Sequence, residues 1–78
     1  MYFPRLRDLR EDHDWTQAQV AHHLGIRQAQ YSRYERGVQT LPLPHLLALA
    51  DLYHTSTDYL LGRTNVTIPY PPKKKSHL

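Results

Sequence analysis

Seventy-eight residues make one small domain, a length at which only about 60% of the unfolded surface is buried on folding. With no cysteine, neither a disulfide nor a thiolate metal site can reinforce so thin a core, which leaves helix packing and self-association. The formal charge of +3 is no argument for a polyanionic partner, because seven arginines cancel seven acids and the excess is Lys73, Lys74 and Lys75. The distribution is more telling. The acids cluster before residue 15, whereas Trp15 to Ala50 holds three arginines and a single acid, Glu35. The longest apolar-rich run, Leu46 to Ala50, is far shorter than the roughly 20 residues of a membrane span, and no signal-peptide pattern is present. A soluble, cytoplasmic chain is the expectation.

The first helix is predicted from Pro4 to Asp12. Pro4 suits a first turn, where its missing N–H has no partner to lose. Leu6, Leu9 and Phe3 fall on an inner face, and Arg5, Asp8, Glu11 and Asp12 are expected in solvent. His13 and Asp14 form a loop. The second helix opens with the strongest start signal in the chain. Thr16 and Gln19 make a T-x-x-Q capping box, and Trp15 with Val20 make a hydrophobic staple. Val20, Ala21 and Leu24 face inward, Gly25 ends the helix, and Ile26 plugs the turn.

A third helix is predicted from Arg27 or Gln28 to Arg36, stopped by Gly37. At about 100° per residue, Tyr31 and Tyr34 define its inner face with Glu35 close to it. Ala29, Arg33 and Arg36 lie nearly opposite, Ser32 on the flank, and Gln28 in the first turn. A fourth helix, Leu43 to Tyr53, carries Leu43, Leu46, Leu47, Ala50 and Tyr53 at helical spacing, with Leu49 widening the stripe. Ser56 caps a short fifth helix, Thr57 to Leu61, whose Asp58 suits its positive end. Residues 1–64 thus form the domain. From Asn65 the composition turns to proline and lysine without a period, which reads as a disordered or extended tail over 65–78.

In order along the chain stand T-Q-x-x-x-A at 16–21, L-G at 24–25, S-R-Y-E-R-G at 32–37 and D-Y-L-L-G at 58–62. These motifs resemble the Cro/cI-type (XRE-type), lambda-repressor-like helix-turn-helix family, over about residues 4 to 63. The resemblance implies an all-α, five-helix DNA-binding domain followed by a disordered tail. It implies a sequence-specific transcriptional regulator, a repressor, that lays helix 27–36 in the major groove of double-stranded DNA. A homodimer on a pseudo-palindromic operator follows, with half-sites about one helical turn apart. By the same resemblance the helix 4 to helix 5 region, with Thr57 and Tyr59, is the dimer surface.

Site roles carry over by position. Gln28, Ala29, Ser32 and Arg33 match base-contacting positions. Arg33 fits guanine O6 and N7 or a phosphate, Gln28 fits adenine N6 and N7, and Ala29 fits a thymine methyl. Thr16 and Gln17 match phosphate contacts at a helix N-terminus, and Arg27 and Arg36 are further backbone candidates. Glu35 matches an acid that pairs internally with a base of the first helix, here Arg10. The family usually has Ser or Thr where Arg27 stands, so the third helix lacks its expected cap. For Arg33 the plainer alternative is a solvated surface arginine, and for Arg10 and Glu35 two exposed charges.

Other features carry less chemistry. His22 and His23 are adjacent and do not share a helix face, and His13, His45, His54 and His77 show no ligand spacing, so no metal or cofactor is expected. Tyr31, Tyr34, Tyr53 and Tyr59 read as core or interface. No nucleophile–base pair or phosphate-cradling glycine loop points to an enzyme. A second reading is an antitoxin-like or adaptor protein whose tail binds a partner protein as well as its DNA.

Overall fold

The computed structural model describes residues 1–71. Among them are five helices and no strand: α1 Pro4–Asp12, α2 Gln17–Leu24, α3 Gln28–Glu35, α4 Leu43–Leu52 and α5 Thr57–Leu60. α2 packs chiefly on α3, α1 lies against α3 and α5, and α4 closes the other side against α2 and α5. All five meet in one core of Leu6, Val20, Ala21, Tyr31, Tyr34, Leu46, Leu49, Ala50, Tyr53 and Leu60. Ala21 is 1% exposed, and its short side chain sits in the face that α2 buries.

Local signals fix α2 at both ends. Thr16 Oγ1 accepts the Gln19 N–H at 3.1 Å, and Gln19 Oε1 accepts the Thr16 N–H at 2.7 Å. At the other end Gly25 takes φ 71°, and the Ile26 N–H returns to the Ala21 carbonyl at 3.0 Å. Both orphaned ends of the helix are thereby satisfied. Gly37, at φ 72°, has a second constraint. A Cβ there would lie 2.9 Å from Tyr2 Cα, because the chain start packs over this turn.

Two expectations about the core change. Leu43 and Leu47 are 64% and 50% exposed. The buried face of α4 is instead Leu46, Leu49 and Ala50, continued by Tyr53, an i, i+3, i+4, i+7 set. Leu47 lies about 100° of helix rotation from Leu46 and falls outside it. Arg5, expected in solvent, is half-buried. It donates to the carbonyls of Tyr59 (2.7 Å) and Thr64 and to Asn65 Oδ1 (2.7 Å). Its guanidinium lies 4.0 Å from the centre of the Tyr59 ring, a cation–π contact.

The tail divides. Residues 65–71 have no helix but are fastened to the domain. Besides the Arg5 bond, Thr55 Oγ1 donates to the Thr67 carbonyl and Tyr70 Oη to Asp58 Oδ2, each at 2.6 Å. Lys73, Lys74, Lys75 and His77 lie outside the described residues.

Candidate nucleic-acid interface

The outer side of α3 and the start of α2 form one shallow groove, lined by Gln17, Gln28, Ala29, Ser32, Arg33 and Arg36. Six of the eight positions singled out as DNA-facing in the sequence are therefore neighbours. The other two stand apart from the lining. The Thr16 hydroxyl is engaged as the cap of α2, and Arg27 is exposed at the start of α3.

The side chains of this groove differ in freedom. Arg33 is exposed. Arg36 Nε donates to Ser32 Oγ at 3.2 Å, so that hydroxyl already has a donor and keeps its own proton to donate. Gln17 Nε2 donates to Glu35 Oε1 at 3.2 Å, which fixes the amide from behind. Ion pairs among the described residues are Arg7–Glu11, Arg10–Glu35 and Arg63–Asp58; none engages Arg27, Arg33 or Arg36. Without an ion-pair partner among the described residues, these three cations are available to an external anion.

Behind the groove lies a buried ion pair. Arg10 Nε and Nη2 donate to the two Glu35 carboxylate oxygens at 2.7 and 3.0 Å, the bidentate fork of an arginine–carboxylate contact. The side chains are 13% and 3% exposed. Arg10 Nη1 also donates to the Trp15 carbonyl at 2.9 Å, so one guanidinium ties α1, the α1–α2 loop and the end of α3 together. Burial by itself would push the Glu35 carboxyl up. The hydrogen bonds led by Arg10, with its positive charge, more than reverse this and hold it below the usual carboxylate range.

Two buried tyrosines surround the pair. The Tyr31 and Tyr53 hydroxyls have no partner in hydrogen-bonding geometry. Tyr31 nevertheless lies close enough to Glu35 for the carboxylate charge to oppose its ionisation. Burial, aided by that charge, pushes Tyr53 up to about 12 and Tyr31 still higher, so both remain neutral. Among the described residues no group of His, Asp and Glu is arranged to hold a metal ion, and no helix is long and apolar enough to cross a membrane.

Sequence reasoning missed the Gln17–Glu35 bond and the Arg5 clamp. The first had a local hint, a glutamine in the first turn of the helix that packs on α3. The second had none, because its partners lie 54 to 60 residues away.

Two short helices joined by a glycine turn, the second with a buried tyrosine face and an outer groove, define a helix-turn-helix domain. The helix-turn-helix family model matches residues 6–60, and the chain belongs to that family. Its relatives are transcriptional regulators. It is 42% identical over 74 residues to the HTH-type transcriptional regulator YobD of Bacillus subtilis, covering 95% of this chain and 66% of that protein. It is 41% identical to AnsR of the same organism, covering 81% of this chain and 54% of that one. The chain thus spans about half to two thirds of the length of these relatives. Among solved structures, the P22 c2 repressor in complex with a synthetic operator superposes with a TM-score of 0.73 at 28% identity, over 82% of this chain and 98% of that one.

Proposed function

We propose that the chain is a sequence-specific, double-stranded DNA-binding repressor that acts in the cytoplasm as a homodimer and lays α3 in the major groove. The observation that carries this reading is the acid-free groove of Gln17, Gln28, Ala29, Ser32, Arg33 and Arg36, backed by the Arg10–Glu35 pair. The P22 c2 repressor, whose solved complex contains operator DNA, supports it over nearly its whole resolved length. Gln28, Ala29, Ser32 and Arg33 meet base edges in this reading. Thr16, Gln17, Arg27 and Arg36 meet phosphates, assisted by exposed N–H groups at the helix starts. Repression is steric, by occupation of an operator with two half-sites about one helical turn apart.

Selection of bound duplexes from a random pool, at fixed salt, tests the reading, since affinity for DNA has meaning only at stated salt. An enriched pseudo-palindrome is the expected result; a pool with no enriched motif rejects sequence-specific binding. On the selected site, Arg33→Ala should lower affinity and relax specificity at one base pair by about 1–3 kcal/mol with unchanged melting. Uniform weakening across all base pairs would move Arg33 from base to phosphate.

A further inference from the structure

The polar surface does not end where the outer groove of α3 ends. Gln17 and Arg36 also line a second hollow, together with Tyr2, Arg7, Arg10 and Glu35. Three guanidinium groups and one carboxylate therefore meet there. Glu35 is neutralised in place: both its oxygens accept from Arg10, and Oε1 accepts from Gln17 as well. Arg10 is equally committed, through Nε, Nη1 and Nη2, to Glu35 and the Trp15 carbonyl. This pair is the wall of the hollow, and Arg7 and Arg36 are its remaining cations. Among the described residues Arg36 has no acid partner, and Arg7 has Glu11, one turn along α1 at 3.1 Å. Both members of that pair are more than half exposed, where an ion pair contributes little, and the contact uses one of five guanidinium N–H donors.

The hollow is also rigidly built. Arg7 is carried on α1, which the buried Leu6 and the Arg10–Glu35 pair fix against the core. Tyr2 is set over the turn after α3, where Gly37 leaves room for its backbone, and is 58% exposed. One strand of duplex DNA carries a phosphate about every 3.4 Å along the helix axis. A strand held at Gln17 and Arg36 therefore brings a neighbouring phosphate close to these two residues, and the hollow lies beside them.

We propose that Arg7 and Tyr2 bind a DNA backbone phosphate in this hollow, adjacent on the same strand to the one held by Gln17 and Arg36. Arg7 donates as a cation and the Tyr2 hydroxyl as a neutral donor. α1 then carries part of the DNA interface as well as the ion pair behind it. The inference rests on the DNA-binding reading and adds to it one phosphate and the two residues that hold it.

Arg7→Gln and Tyr2→Phe in the full chain test it, on the duplex enriched from the random pool and on a random-sequence duplex. Arg7→Gln should weaken binding to every sequence alike and lower the slope of log affinity against log salt by about 0.9. Between roughly 50 and 200 mM salt its deficit should shrink about 3.5-fold. Tyr2→Phe removes no charge and should weaken binding with the slope unchanged. Both side chains are exposed, so melting should not move. Arg63→Gln removes the same charge from an arginine that is 74% exposed and lines neither hollow, and should keep the wild-type slope. Methylphosphonate replacement of one phosphate at a time locates the contact. One neutralised phosphate should weaken wild-type binding but not that of Arg7→Gln, and it should adjoin the phosphate that behaves so for Arg36→Gln.

Equal slopes for Arg7→Gln and Arg63→Gln overturn the inference, as does an Arg7-coupled phosphate remote from the Arg36 one. Tyr2→Phe binding as wild type does removes Tyr2 from the contact. Exchanging chloride for inorganic phosphate at equal ionic strength should leave affinity unchanged. A loss seen in the wild type and absent in Arg7→Gln would make the hollow a site for free phosphate instead. The two readings fail separately. A chain that selects a sequence while Arg7→Gln keeps the full slope loses this contact and keeps the DNA reading. A chain that selects none, yet loses about 0.9 of slope with Arg7→Gln on the random-sequence duplex, keeps the contact and loses sequence-specific repression.

Discussion

α2 and α3 are each eight residues long and pack on one another, yet they are held in opposite ways. α2 is secured locally, by the Thr16–Gln19 capping box at its start and the left-handed Gly25 at its end. α3 has Arg27 at its N-cap and no side-chain cap bond. It is secured from a distance, through Tyr31, Tyr34 and Glu35, all buried. The difference teaches where each helix can meet another molecule. A start closed by its own side chains offers fewer donors than an open one, here the N–H groups that the Thr16–Gln19 box leaves free. An uncapped start leaves backbone N–H groups open to an external acceptor, at the expense of local stability. α3 therefore depends on the core and the ion pair to stay folded with its outer side uncommitted.

The largest effect should come from removing that distant support. Arg10→Met strands a buried carboxylate and should destabilise the domain by about 3–5 kcal/mol in urea unfolding. Glu35→Gln, which leaves an arginine better able to reach water, should cost less. Near-zero changes for both would remove the contrast between the helices. The pH dependence sharpens the same point. In the wild type Glu35 is held below its ordinary value of 4.5, so its stabilisation is complete above that pH and is lost as pH falls through the lower folded value. In Arg10→Met burial outweighs the Gln17 hydrogen bond that remains, and the carboxyl rises. Acid should then relieve part of the penalty, narrowing the gap to wild type. Parallel acid limbs for the two proteins would show that the carboxylate does not titrate with folding.

Next in size is the cap of α2. Thr16→Ala removes one acceptor and should cost about 1 kcal/mol, within the 0.5–2 kcal/mol range for such caps. A change near zero would mean that tertiary packing alone holds α2, as it holds α3.

The same contrast decides what could be read from the sequence. Thr16, Gln19 and Gly25 act through neighbours within a few residues, so the limits of α2 were legible. The i, i+3, i+4 spacing of Leu46, Leu49 and Ala50 made α4 legible too, but spacing alone could not tell which flank of the stripe the other helices would cover. Leu47 and Leu43 fell on the uncovered side. The positions of Gln28, Ala29, Ser32 and Arg33 on one outer face followed from helical rotation. That Ser32 would already accept from Arg36, and Gln17 would lie against Glu35, depended on rotamers in the folded domain. Arg5 was least legible. An arginine in a first turn normally faces water, and only the return of the chain at Tyr59, Thr64 and Asn65 gives it three acceptors.

The smallest effect is also the most discriminating, because it should raise stability while lowering affinity. Arg27→Ser gives α3 the side-chain cap it lacks. Its backbone is already extended, at φ −77° and ψ 151°, as an N-cap requires, so the new hydroxyl can reach the free N–H groups without rearrangement. The domain should gain up to about 1 kcal/mol. If Arg27 meets a phosphate, the variant loses one cation from the interface, and the slope of log affinity against log salt should fall by about 0.9 while the preferred sequence stays the same. A gain in stability with an unchanged salt slope would leave the helix-start argument intact but remove Arg27 from the interface. No gain in stability would mean that the start of α3 already finds its acceptors in water, and that its missing cap carries no penalty for the DNA-facing role to explain.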